Sequence, residues 1–222
     1  MQQVAASFGW PFRGAWLSRF LVGSLTVFLL PVAFIPLLGY AIAATRAVEQ
    51  DAALPPPPWK LSRGLLADGF WTAVAIALLS APFVLALSPL ADAIDRTQLW
   101  RVADRQQAQA YAHLAAAAVL ALPWGFVMLL LMPHAAGRFA GTGRPHDLFD
   151  FPAALRGVQR DFPTWNAAAA AMVTAWVIGI ACVGLLCVGL LPGVFYAILV
   201  SAHASASLRT QAGASGAHPP PG

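Results

Sequence analysis

The stretch RPHDLFD, residues 144–150, places an imidazole and two carboxylates within seven residues, with His134 upstream. Histidine and aspartate are the ligands that hold zinc and let it activate a water for hydrolysis. His134, His146, Asp147 and Asp150 are therefore the candidates for a hydrated metal site at a membrane surface. Zinc sites draw their ligands at tighter, paired spacing. The simpler reading is a helix start capped by Asp150 behind a solvated loop. The chain carries no serine nucleophile elbow, no glycine-rich phosphate loop and no zinc-protease motif. No catalytic residue, no cofactor and no metal is expected.

Cys182 and Cys187 are the only cysteines, five apart in an apolar run, and so point to different faces of a helix. They read as small packing residues rather than as a disulfide, metal or redox pair. A charge deep inside a membrane span points to function by default, and none stands near an expected midplane. Asp68 and Asp92 lie at span ends. Thr72, Ser80, Ser88, His113, Asn166, Thr174 and His203 are the polar side chains from which a transport path would have to be built.

The elements that must position these residues follow from composition. Of 222 residues, 59% are hydrophobic and 10% charged; soluble domains have roughly 45–50% and 25%. Several apolar runs exceed the length of about 18 residues needed to cross a bilayer. The expected class is all-α, a polytopic transmembrane bundle of four to five spans with an interfacial amphipathic helix. The net charge of +4 is not a nucleic-acid signal, because the cations flank the apolar runs, where membrane proteins keep them.

Residues 1–15 read as an interfacial segment and 16–208 as one transmembrane domain, with spans near 16–45, 65–90, 111–132, 164–185 and 188–208; residues 209–222 read as a disordered tail. The first run is too long for a signal-peptide core. Pro31 and Pro36 leave two versions of it open: one kinked span, or a pair of half-helices that dips in and returns. Leu148, Phe151, Leu155, Val158 and Phe162 recur at helical spacing, with Arg156 and Arg160 opposite, which predicts an amphipathic helix lying in the membrane surface. The run 164–208 is too long for one span and predicts a hairpin turning near Gly184–Gly193. GLLPG, residues 189–193, reads as part of that turn rather than as a helix contact. SAHASAS, residues 201–207, would let another helix of this chain or of a second copy approach closely.

Connectors 46–64 and 133–163 carry three and four cations, and two spans separate them, so they share a side; connector 91–110 carries three and faces the other. The excess places both long connectors in the cytoplasm of a cell-membrane protein. The two connectors also resemble each other, each running from an arginine (Arg46, Arg138) to a tryptophan (Trp71, Trp165), as a parallel repeat would.

Four prolines, Pro55 to Pro58, stand between two apolar runs and are followed by Trp59 and Lys60. An extended proline run is stiff. It reads as a rigid bracket returning the chain along the cytoplasmic surface, with a partner-docking site as the rival. Candidate interfacial or docking residues are Arg46, Pro55, Trp59, Lys60, Arg63, Arg138, Phe149, Phe151, Arg156 and Arg160. The partners expected are the lipid bilayer, anionic lipid at the cytoplasmic face, and a second copy or another membrane protein.

Trp16, Gly23, Pro31, Pro36, Gly39–Tyr40, Arg46, Leu54–Pro55, Trp59 and Gly69, in that order, resemble the opening pattern of the domain-of-unknown-function family 4013, a group of prokaryotic integral membrane proteins. Pro133, Arg138–Phe139–Ala140, Gly143 and Phe149–Asp150–Phe151 resemble its second half. The likeness covers roughly residues 10–208. It departs at the prolines, where the family usually has one, and at Lys60, where the family tends to have an acid. The resemblance implies a multi-span membrane fold and no assigned reaction. The reading that follows is a non-enzymatic accessory or assembly subunit, acting through surface and helix–helix contacts. The alternatives are a small transporter or channel component, single or dimeric, and a membrane enzyme at the cytoplasmic face.

Overall fold

The computed structural model describes residues 2–97, 104–184 and 189–215. Among them the regular structure is helical: α1 (Gln2–Gly9), α2 (Trp16–Phe28), α3 (Leu30–Gln50), α4 (Arg63–Arg96), α5 (Arg105–Thr142), α6 (Phe151–Arg160), α7 (Phe162–Ala181) and α8 (Leu190–Ser215). Five of these, α3, α4, α5, α7 and α8, are long and apolar enough to cross a membrane. Residues 1–73 together with 130–222 form one compact unit, and residues 74–129 form a second.

In the first unit the apolar run 16–45 is two helices broken at Leu29. Proline at 31 has no N–H and its ring would clash with the carbonyl four residues back, so it cannot continue α2. It sits instead in the first turn of α3, where a donor is not needed. Pro36 lies inside α3. The two ends of the run meet: an Arg13 Nη1 donates to the Ala52 carbonyl at 2.9 Å, and Gly14, held at φ 66°, packs on Pro55. The run therefore enters and leaves at one end of this unit, the geometry of the dipping version.

The core of this unit forms around Phe195 of α8, which is fully buried. Gly23 of α2 lies against its ring, where a Cβ would overlap it. Phe20 meets it edge-on at 5.5 Å, and Tyr40 and Trp59 flank it at 5.8 and 6.1 Å. Residues 7–11 are drawn into the same core: Trp10 is fully buried, the Ser7 hydroxyl pairs with His203 Nδ1 at 2.8 Å, and the Tyr196 hydroxyl donates to the Phe8 carbonyl.

The run 164–208 forms the expected hairpin, α7 and α8, whose backbones come together at Gly179 and Gly193. This corrects the assignment of Gly193 to the turn. Pro192 sits in the first turn of α8, and Gly193, one residue on, is a helix contact that only a residue without Cβ permits. The turn itself falls partly on residues 185–188, and Cys187 with it, outside the described residues; Cys182 is a free thiol. Helix α8 continues to Ser215, so the segment expected to be disordered from 209 begins as helix.

In the second unit, Ala75 and Ala91 of α4 and Ala112 and Ala116 of α5 are buried. Trp124 Nε1 donates to the Ser80 hydroxyl at 2.9 Å. Most of the remaining apolar surface there, including Leu85 and Leu122, faces outward.

Candidate functional site

Charge gathers where helices of the first unit end. The last four carbonyls of an α-helix have no partner within it, and α5 ends at Thr142. Gly143, in the left-handed region at φ 68°, caps it by donating its N–H to the Phe139 carbonyl. The Ala140 carbonyl is taken by Arg46 of α3, whose Nε donates at 2.9 Å. An Nη1 of the same guanidinium pairs with Asp68 of α4 at 3.1 Å. The planar fork of arginine can serve two acceptors in fixed directions, and its charge suits a helix C-terminus. Beside it a pocket of about 430 Å³ is lined by Arg46, Glu49, Gln50 and residues 140–143.

A second arginine, Arg138 on α5, clamps the loop that follows. Its Nη2 meets Asp147 at 2.6 Å and its Nη1 meets Asp150 at 3.0 Å. The Thr142 hydroxyl also donates to Asp147. Burial pushes the Asp147 carboxyl up, but the Thr142 hydrogen bond, the Arg138 charge and nearby His146 together hold it below the ordinary value. Arg138 and the Ala153 N–H hold Asp150 low as well. Asp150 caps α6 through that N–H, as its position before Pro152 predicts.

The four residues proposed for a metal divide. His146 Nε2 stands 3.6 Å from Asp147, and both aspartates turn to Arg138. His134 does not join them; its ring lies over Gly157 of α6. Among the described residues no three of His, Cys, Asp and Glu could hold a metal ion together. Four of the polar side chains proposed for a transport path are engaged by protein partners: Thr72 donates to the Asp68 carbonyl and His113 pairs with the Gln109 carbonyl within their own helices, while Ser80 accepts from Trp124 and His203 pairs with Ser7 from other helices. Ser88, Asn166 and Thr174 are exposed.

The proline run folds against α3. Extended proline has no internal hydrogen bonds, so its carbonyls need donors. Trp10 Nε1 supplies one to Leu54 at 2.8 Å, and the Tyr40 hydroxyl supplies one to Pro57 at 2.9 Å. Trp59 stacks on Tyr40 with ring centroids 3.9 Å apart and is half-buried. Lys60 and Arg63 are exposed, and Ser62 caps α4 by accepting the Leu65 N–H. Trp71 meets Phe149 edge-on at 6.5 Å. On α6, Ala154 and Val158 turn inward, Phe151 is half-buried, and Leu155, Arg156 and Arg160 face outward.

A family model described as "Protein of unknown function (DUF4013)" matches residues 22–192. The chain belongs to this family. No curated protein and no solved structure matches. In this DUF4013 protein several of the residues that carried the resemblance hold the first unit together. Gly39 lies on the Leu65 carbonyl and Gly69 on the Ile35 carbonyl, so α3 and α4 touch backbone to backbone. Tyr40 stacks on Trp59, and Arg46 and Arg138 hold the connectors. Sequence reasoning did not single out Asp68, Thr142 or Ala140 as their partners. The signal for Asp68 was present, as the first carboxylate after the connector that begins at Arg46.

Proposed function

We propose that this DUF4013 protein is a non-enzymatic accessory or assembly subunit of the cell membrane, acting through helix–helix and membrane-surface contacts, with connectors 46–64 and 133–163 in the cytoplasm. One observation carries the reading. The side chains best suited to chemistry, Arg46, Asp68, Arg138, Asp147 and Asp150, hold helix ends and loops to each other. The surface offered outward is apolar, with Leu85 and Leu122 among its most exposed side chains. A side chain engaged in two ion pairs is poorly placed to transfer protons or polarise a substrate. An exposed apolar helix face in a bilayer meets lipid or another helix.

The test is photo-crosslinking in cells from a reactive residue placed at Leu85 or at Leu122. A discrete adduct with one other membrane protein, absent when the probe stands at the buried Ala116, supports the reading. Adducts with lipid alone at both positions sink the assembly role.

A further inference from the structure

At the connector end of the first unit five aspartates are engaged. Asp68 pairs with Arg46, and Asp147 and Asp150 pair with Arg138. Asp51 accepts the Ala53 N–H and Asp161 the Thr164 N–H. Lys60, Arg63, Arg156 and Arg160 are exposed, and among the described residues none of them has a carboxylate within ion-pair distance. Arg156 is near enough to Asp150 to help lower its carboxyl, without a bond. Arg156 and Arg160 are four apart on α6 and so share a face.

Apolar side chains are interleaved with these cations. Leu61, between Lys60 and Arg63, is 74% exposed; Leu155 stands beside Arg156, and Phe162, two residues past Arg160, is 56% exposed. A soluble polyanion would need the charges only. A headgroup and acyl boundary accepts both, the cations at phosphate and the apolar groups just below it.

We propose that Lys60, Arg63, Arg156 and Arg160 bind the headgroups of anionic phospholipid, with Leu61, Leu155 and Phe162 seated in the boundary beneath. The proposal rests on the reading that this end of the protein meets a membrane surface. It names the lipid class and the residues that select it.

The experiment is native mass spectrometry of the purified full chain in detergent, with phosphatidylglycerol and phosphatidylcholine of identical acyl chains at equal concentration. One cation near an anionic surface is worth roughly a fivefold factor, so a preference for phosphatidylglycerol of about fivefold or more is expected. The K60Q/R63Q/R156Q/R160Q variant should bring the ratio near one, and R156Q/R160Q should lower it partway. R96Q/R105Q, at the other ends of α4 and α5, should leave it unchanged. Equal adducts in the unaltered protein overturn the proposal, as does a preference that survives the fourfold variant. Loss of the preference in inorganic phosphate, but not in chloride of equal ionic strength, assigns the site to free phosphate and overturns it too. Detergent removes orientation from the readout, so failure of the cytoplasmic placement shows separately, by labelling in cells.

Discussion

Arg46 Nε donates to the Ala140 carbonyl oxygen at 2.9 Å across 94 residues of chain. With Asp68 on its Nη1, this one guanidinium joins the end of α3, the end of α5 and an early turn of α4. The two long connectors thus lie at the same end of their unit. A lysine could keep the charge opposite Asp68 but not both directed bonds.

Replacing Arg46 by Ala should lower stability by about 1–2 kcal/mol, since the carbonyl and the carboxylate both lose a donor while water recovers part of the loss at this partly exposed position. Arg46→Lys should recover only the share carried by Asp68. Thermal unfolding in detergent, followed by size-exclusion recovery, reads the difference. A lysine variant as stable as the parent would show that the Ala140 bond contributes nothing.

Gly39→Ala and Gly69→Ala should each prevent correct folding, because the new Cβ meets a carbonyl oxygen of the facing helix and backbone cannot give way cheaply. Gly125→Ala is the contrast: nothing lies within 4 Å of the added carbon, and relief of glycine's cost in a helix should add about 0.5–1 kcal/mol. The same unfolding assay decides. Survival of Gly39→Ala with an unchanged melting temperature would mean that α3 and α4 do not touch at this point.

Much of this fold was legible because its causes are local. Hydropathy marks α4, α5, α7 and α8, and Asp150 before Pro152 marks the start of α6. The bounds were less legible. Helix α5 runs through Pro133 to Thr142, ten residues past the expected span end, until Gly143 supplies the left-handed cap. The break in the first run falls at Leu29 rather than at either proline, since Pro31 belongs to the next helix's first turn. Trp59 has the composition of a headgroup anchor, yet Tyr40 stacks on it; nothing local to either residue announces a partner 19 positions away. Arg46 and Asp68 were each visible as charges at span ends. Their pairing depends on α3 and α4 touching at Gly39 and Gly69, which is a tertiary fact.

The Arg138 clamp should depend on acid in a defined sense. Asp147 and Asp150 titrate below the ordinary value of 3.8 in the folded protein. Their contribution is therefore complete above that value and is lost as pH falls through the lower folded values. Between pH 7 and 5 the melting temperature difference between the parent and Asp147→Asn should stay constant, and as pH falls below 3.8 it should shrink toward zero. A difference that already fades near pH 6 would show that the clamp does not depend on the Asp147 carboxylate.

The first apolar run enters and leaves beside the same residues, Arg13 against Ala52 and Gly14 against Pro55. If that end lies at one membrane surface, Gln2 and Ser62 must share a side, and Gln159 must share it with them. Gln107 lies in connector 91–110, which its cation count assigns to the opposite side. With Cys182 and Cys187 replaced by alanine, single cysteines at Gln2, Ser62, Gln107 and Gln159 can be treated in intact cells with a membrane-impermeant maleimide. Labelling at Gln107 alone is the expected result, and permeabilised cells should label all four. If Gln2 labels in intact cells while Ser62 does not, the first run crosses once, and the Arg13–Ala52 bond cannot form in the membrane. If Ser62 and Gln159 divide, the Arg46–Ala140 bond is the contact that fails, and the shared placement of the two connectors fails with it.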